Sequence, residues 1–187
     1  MLIRSFIAID VNDPDLISKI IRIQEEIISS NAKLKPVETE NLHFTLKFLG
    51  EVEESRLELV KGVMDDILRD FQPFKMEIKS LGAFPTVSRP NVIWIGAGEG
   101  RELFIRIASE LDRALSKLGF SRESRPIEPH LTIARVKGPL GSLPDVIRKL
   151  SHVELGFLHV EEVKLKKSTL TREGPIYSDI YAVRLGS

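Results

Sequence analysis

Two stretches of this chain share a pattern that restricts what it can fold into. Residues 41–49 read NLHFTLKFL and residues 128–136 read EPHLTIARV, so a histidine stands two places before a threonine inside an apolar run, twice. Alternation over so short a run specifies a half-buried strand, here at about 42–48 and 129–136. A long amphipathic helix leads towards each strand.

Asp13-Pro14 supplies the start of the first helix, with Asp13 as N-cap and Pro14 at the first helical position. Leu16, Ile17, Ile20, Ile21, Ile23, Ile27 and Ile28 follow at helical spacing to about Ser30. Glu53 to Asp70 forms a second helix, with Leu57, Val60, Met64, Ile67 and Leu68 on its apolar side. Glu102 to Leu118 forms a third, ended by Gly119. Strands are expected at Ile3–Ile9, around Phe74–Ile78, at Asn91–Gly96 after the turn-rich FPTVSRPN, within Val153–Lys166, and at Ile176–Leu185. Lys33 to Val37 is a short extended segment with Pro36 at an edge or end, and Gly50 closes the first histidine strand. Asp145 to Leu150 supports a short helix at most. Residues 1–187 thus read as a single α+β domain of two similar lobes, each an antiparallel sheet backed by helices.

On a strand, residues i and i+2 share a face. His43, Thr45 and Lys47 then face one side, while Phe44, Leu46 and Phe48 face the core. In the second strand His130 and Thr132 share a face, with Leu131 and Ile133 opposite. Two imidazoles across a groove suit phosphoryl transfer from a ribose hydroxyl to water. Such transfer needs a base for the nucleophile and an acid for the leaving oxygen, and a histidine titrating near pH 6.5 serves as either. A neighbouring threonine hydroxyl can donate to a non-bridging phosphate oxygen. A single H-x-T is more often a structural contact than a catalytic one. Two hits among four histidines and six threonines have a chance on the order of one in a hundred from composition. His152 and His159 lack such company and read as surface or packing residues.

The chain contains no cysteine, which excludes disulfides, thiolate nucleophiles and Cys-type zinc sites. A metal on His43 and His130 would lack a third ligand within either motif, and no HExxH occurs, so neither metal nor cofactor is expected. No G-x-S-x-G or phosphate-binding glycine loop is present; GAGEG at 96–100 has the wrong spacing. With 27 basic and 27 acidic side chains the net charge is zero. That excludes a broad electrostatic footprint on long nucleic acid and leaves room for a local patch holding one or two phosphates. No stretch is long and apolar enough for a membrane helix, and the start lacks a signal-peptide pattern. A cytoplasmic protein with no membrane association, monomeric by default, is the simplest expectation.

At RSFIAID, NLHFTLKFLGEV, PHLTIARV and the closing KKSTLTREGPIY, in order across essentially the whole chain, the sequence resembles the two-histidine phosphoesterases. Within them it is similar to the RNA 2′,3′-cyclic phosphodiesterases, also called 2′-5′ RNA ligases (LigT-like). The resemblance implies an α+β, bilobal fold with pseudo-twofold symmetry, two antiparallel sheets lining a central cleft, and helices on the outside. It implies hydrolysis of RNA 2′,3′-cyclic phosphate ends to a 2′-phosphate, with His43 as proton donor and His130 as proton acceptor. Thr45, Thr132 and Arg135 would bind the substrate phosphate. The same site run backwards with a 5′-hydroxyl RNA end would make a 2′-5′ linkage. Arg135 has the parity of Leu131 and Ile133, so it reaches substrate only if the strand ends or bulges near Ala134, or if it wraps the edge. The same residues would also suit small nucleotide cyclic phosphates, 2′-5′ oligonucleotides, or a non-catalytic module that binds RNA ends. Arg122, Arg125 and Lys137, and Lys164, Lys166 and Lys167, either steer an RNA end or form solvated faces.

Overall fold

The computed structural model describes residues 1–186. Asp13 caps α1 (Pro14–Ile28), its carboxylate accepting the N–H groups of Asp15 and Leu16 at 2.8 and 3.3 Å. Leu16, Ile20, Ile23 and Ile27 form its buried stripe, as the helical period requires. Helices α2 (Glu54–Leu68), α3 (Arg101–Ser116) and the short α4 (Leu143–Lys149) follow along the chain. Among the described residues, no helix is long and apolar enough to cross a membrane.

Among the described residues the strands are β1 (Leu2–Asp10), β2 (Leu34–Pro36), β3 (His43–Glu53), β4 (Phe74–Pro85), β5 (Pro90–Ala97), β6 (Leu131–Val136), β7 (Glu154–Val160), β8 (Glu162–Thr171) and β9 (Gly174–Arg184). All pair antiparallel in the order β7-β4-β5-β6-β3-β1-β8-β9, with β2 beside β6. The two expected sheets are the two halves of this one sheet. They join through β3 and β6 at a single register pair, Phe44 with Leu131, both wholly buried. Phe44 meets Phe104 of α3 edge-on, ring centroids 6.0 Å apart. Helices therefore cover this face at the centre of the sheet, and the alternate residues of β3 and β6 are left facing a cleft.

Several boundaries differ from the sequence reading: the strand expected around Phe74–Ile78 continues to Pro85, and two further differences shape the sheet. The first histidine strand continues through Gly50 to Glu53, because Gly50 takes a φ of 74° and still pairs with Ser5. The single strand expected within 153–166 is two strands separated only by Glu161. Val160 pairs with Phe74 at one end of the sheet order, and Glu162 pairs with Arg184 at the other. Neighbouring residues can belong to opposite ends of one sheet only if that sheet curls until its ends approach. The curl makes its concave face a cleft.

Candidate active site

The register of Phe44 with Leu131 sets His43 beside Thr132 and Thr45 beside His130 on the neighbouring strand, since antiparallel partners run in opposite directions. Beyond each threonine the alternation slips by one residue. On β1, Ala8 faces Thr45 but Ile7 faces Lys47, which leaves Leu46 without a partner. On β5, Trp94 faces Thr132 but Ile93 faces Ala134, which leaves Ile133 without one. Both are β-bulges, and a bulge reverses which face the following residues take.

The bulges correct two assignments made by parity. Lys47, expected beside His43 and Thr45, is buried on the helix side. Phe48, expected in the core, turns out into the cleft and is 48% exposed. They also settle how Arg135 reaches the site: Ile133 and Ala134 are both buried, and Arg135 emerges on the histidine side. His43, Thr45, His130, Thr132 and Arg135 all line one cleft of about 440 Å³, with Phe48 on the same wall.

Both imidazoles are tethered alike. Nδ1 of His43 lies 2.7 Å from the Asn41 carbonyl, and Nδ1 of His130 lies 3.1 Å from that of Glu128. A carbonyl only accepts, so each Nδ1 carries its hydrogen and each Nε2 is left for exchange in the cleft. Nε2 of His43 stands 3.0 Å from Thr45 Oγ1. Aromatic rings flank both histidines. Phe6 and Tyr177 pack on His43 with centroids at 5.0 and 5.3 Å, and Phe84 packs on His130 at 5.2 Å. Trp94 backs Phe84 at 5.3 Å. Its indole crosses Gly82, where a Cβ would meet the ring at 2.5 Å, so that strand position admits only glycine.

These surroundings set the protonation balance. Burial pushes the His43 imidazole below its ordinary value; the Asn41 carbonyl opposes this, Lys166 adds to it, and Asp10 opposes it. Burial also lowers His130, and the Arg135 guanidinium lowers it further. Lys166 is itself buried and tied to Asp10 at 2.7 Å and to Asp179 at 3.1 Å. Lys164 bridges the same two carboxylates at 3.0 and 2.8 Å. Hydrogen bonds within this group raise the Lys164 ammonium well above its usual range. Lys164 and Lys166 are thus a brace beneath His43, with partners distant in sequence that no local pattern reveals.

A second ionic group anchors the irregular segment ahead of His130. Lys47 Nζ donates to Asp112 Oδ1 at 2.8 Å and to the Ser121 carbonyl at 2.6 Å, and Arg122 Nε donates to Asp112 Oδ2 at 2.8 Å. Burial works to raise the Asp112 carboxyl, and the bonds from Lys47, Arg122 and the Glu123 amide outweigh it, holding it below its usual range. Arg101 pairs with Glu128, whose carbonyl orients His130. His152 and His159 are exposed and stand outside the cleft. Among the described residues, no three His, Cys, Asp or Glu side chains gather as a metal site.

Several cleft residues escaped the motif reading: Phe6, Phe48, Phe84 and Tyr177. Phe6 and Tyr177 belong to the two terminal segments quoted above, RSFIAID and REGPIY, so a signal for them existed. Phe84 sat in a stretch read only as turns, and Phe48 was hidden by the bulge.

Known proteins can be set beside this geometry. The family model described as LigT like Phosphoesterase matches residues 9–94 and again 95–177, one H-x-T strand in each. An RNA 2′,3′-cyclic phosphodiesterase of Methanothermobacter thermautotrophicus is 43% identical over 187 residues, covering 99% of this chain and 100% of that one. One from Methanocaldococcus jannaschii is 42% identical over 179 residues, covering 95% and 98%. The crystal structure of TT0787 of Thermus thermophilus superposes with a TM-score of 0.84 at 27% identity, covering 98% of each chain. That of E.coli LigT complexed with 3′-AMP superposes at 0.79 with 24% identity, covering 100% of each, a likeness of fold. Matched across both halves and carrying an H-x-T strand in each, the chain belongs to the LigT-like phosphoesterase family.

Proposed function

We propose that the protein hydrolyses 2′,3′-cyclic phosphate ends of RNA to 2′-phosphates by paired acid–base action of His43 and His130. The observation that carries this reading is the matched pair of imidazoles, each with Nδ1 tethered to the carbonyl two residues before it and each beside a threonine in one cleft. The relatives named RNA 2′,3′-cyclic phosphodiesterase support the choice of substrate, and the repeated family match supports two related lobes in one unit.

In this scheme His130 Nε2 takes a proton from water as the water oxygen bonds to phosphorus. His43 gives its Nε2 proton to the 3′ oxygen as the P–O3′ bond breaks. Thr45 and Thr132 hydroxyls donate to the non-bridging oxygens, and the Arg135 guanidinium offsets their charge. The assignment of roles is the one the family resemblance implies. Burial lowers both rings; at His43 the Asn41 carbonyl and Asp10 favour the charged form while Lys166 opposes it, and at His130 Arg135 opposes it, surroundings compatible with an acid and a base respectively. A 5′-hydroxyl replacing water in the reverse direction would form a 2′-5′ bond. The scheme draws on no metal.

The test is product analysis on an RNA ending in a 2′,3′-cyclic phosphate, with 2′- and 3′-phosphates resolved, in the presence and absence of EDTA. A 2′-phosphate product formed equally with and without chelator is expected. A 3′-phosphate product, or EDTA-abolished turnover restored by zinc, overturns the scheme.

A further inference from the structure

The pseudo-equivalent strands differ at one cleft position. Five residues after its histidine, β3 presents Phe48, and β6 presents Arg135. Because β3 and β6 run antiparallel, these two residues lie at opposite ends of the histidine pair. At the Phe48 end the cation is Arg4, already stacked on the Phe48 ring at 5.0 Å. At the Arg135 end the edge is filled by β2, whose Lys35 stands directly across from Arg135 in register. Lys137 follows Arg135 on the same face, and all three line the cleft.

Like charges directly opposed across strands repel. Among the described residues no carboxylate stands within ion-pair distance of Lys35, Arg135 or Lys137. The cations beneath the other half of the site, Lys164 and Lys166, are by contrast fully matched to Asp10 and Asp179. Two carboxylates, Glu38 and Glu173, also line the cleft without pairing to this group. A site for one cyclic phosphate uses the histidines, threonines and Arg135. Lys35 and Lys137 continue the positive strip away from the reacting atoms, and a cyclic mononucleotide carries no second phosphate to meet them.

We propose that Lys35 and Lys137 form a subsite for the phosphodiester 5′ to the terminal nucleotide, so that the strand leaves the cleft at the β2–β6 end and not past Phe48. The site thereby favours an oligonucleotide end over a cyclic mononucleotide. This rests on the cyclic phosphodiesterase reading above and specifies its substrate.

The experiment compares kcat/KM on a trinucleotide ending in 2′,3′-cyclic phosphate with that on 2′,3′-cyclic AMP, for the native protein and for the double variant Lys35→Ala/Lys137→Ala. The native protein is expected to prefer the trinucleotide. The variant is expected to lose about tenfold of that preference, as two exposed phosphate contacts allow. The log–log salt dependence on the trinucleotide should flatten by roughly 0.7 for each contact removed. A trinucleotide carrying a methylphosphonate at the linkage 5′ to its terminal nucleotide, used with the native protein, should lose the same preference and guards against a variant that misfolds. Equal loss on both substrates, or no loss on either, overturns the subsite. Absence of turnover on both by the native protein overturns the underlying reading instead.

Discussion

His43 and His130 present the same nitrogen to one cleft, and their neighbours separate them. Replacing either with alanine is expected to lower kcat by about 10²- to 10⁴-fold, the usual worth of one positioned proton donor or acceptor, with unfolding transitions unchanged. Steady-state assays on a cyclic-phosphate-ended RNA check this; full activity in either variant ends the two-histidine scheme. Both rings are lowered by burial, which favours their neutral forms. Since the acid must be charged, the alkaline limb of kcat/KM should lie below the ordinary histidine value of about 6.5. Lys166→Met removes a cation near His43 and leaves Asp10 less compensated, and both changes raise the imidazole. The alkaline limb should therefore move upward, as a pH–rate profile of the variant would read directly.

The elements matter here through their irregularities. A bulge after each threonine returns one residue, Phe48 or Arg135, to the cleft, and places another, Lys47 or Ala134, in the interior. At β3 the interior residue is a lysine, and α3 answers it with Asp112 at 2.8 Å. Removing one partner of a buried pair strands the other charge. Lys47→Met should therefore destabilise the protein by about 3 kcal/mol, the low end of such losses, since Arg122 still reaches Asp112 at 2.8 Å. The double change Lys47→Met/Asp112→Leu should recover part of that loss. Urea unfolding distinguishes the two outcomes, and a double variant no more stable than the single one contradicts the account. The anchored segment also carries Glu128, whose carbonyl orients His130, so the single variant should lose kcat as well.

For the molecule as a whole, charge and topology act together. With 27 cations against 27 anions the chain has no net charge with which to draw RNA from a distance, so the attraction proposed above is assigned to the cleft. The salt dependence of kcat/KM on an oligonucleotide should then be shallow, with a log–log slope no steeper than roughly −2 for three cations in contact. A slope several units steeper would mean a wider basic surface than the cleft provides. The curl of the sheet, forced where Val160 and Glu162 join opposite ends of the strand order, turns a flat array of side chains into a concavity. It also brings the β8–β9 hairpin over the site: the Pro175 carbonyl accepts from Asn41 Nδ2 at 3.1 Å, and Tyr177 packs on His43.

Local chemistry was enough to read much of this in advance. Asp13-Pro14 starts a helix because a side-chain acceptor and a fixed φ suffice. His43 with Thr45, and His130 with Thr132, share a face because strand alternation is a property of the backbone. The absence of thiols followed from counting. Everything that depended on which strand lies beside which was decided only by tertiary pairing. Phe48 was misplaced and Arg135 left ambiguous because a bulge is defined by the partner strand, β1 or β5, and leaves no mark in the bulged strand's own period. Lys164 and Lys166 looked like free cations because Asp10 comes to them from β1 and Asp179 from β9. Sequence by itself determined the α+β class, the helix starts and the two histidine–threonine pairs, since these need only neighbours along the chain. The single curled sheet, the reversal of parity beyond each threonine and the one-sided line of cations belong to the tertiary structure. They arise from contacts between residues far apart in the chain.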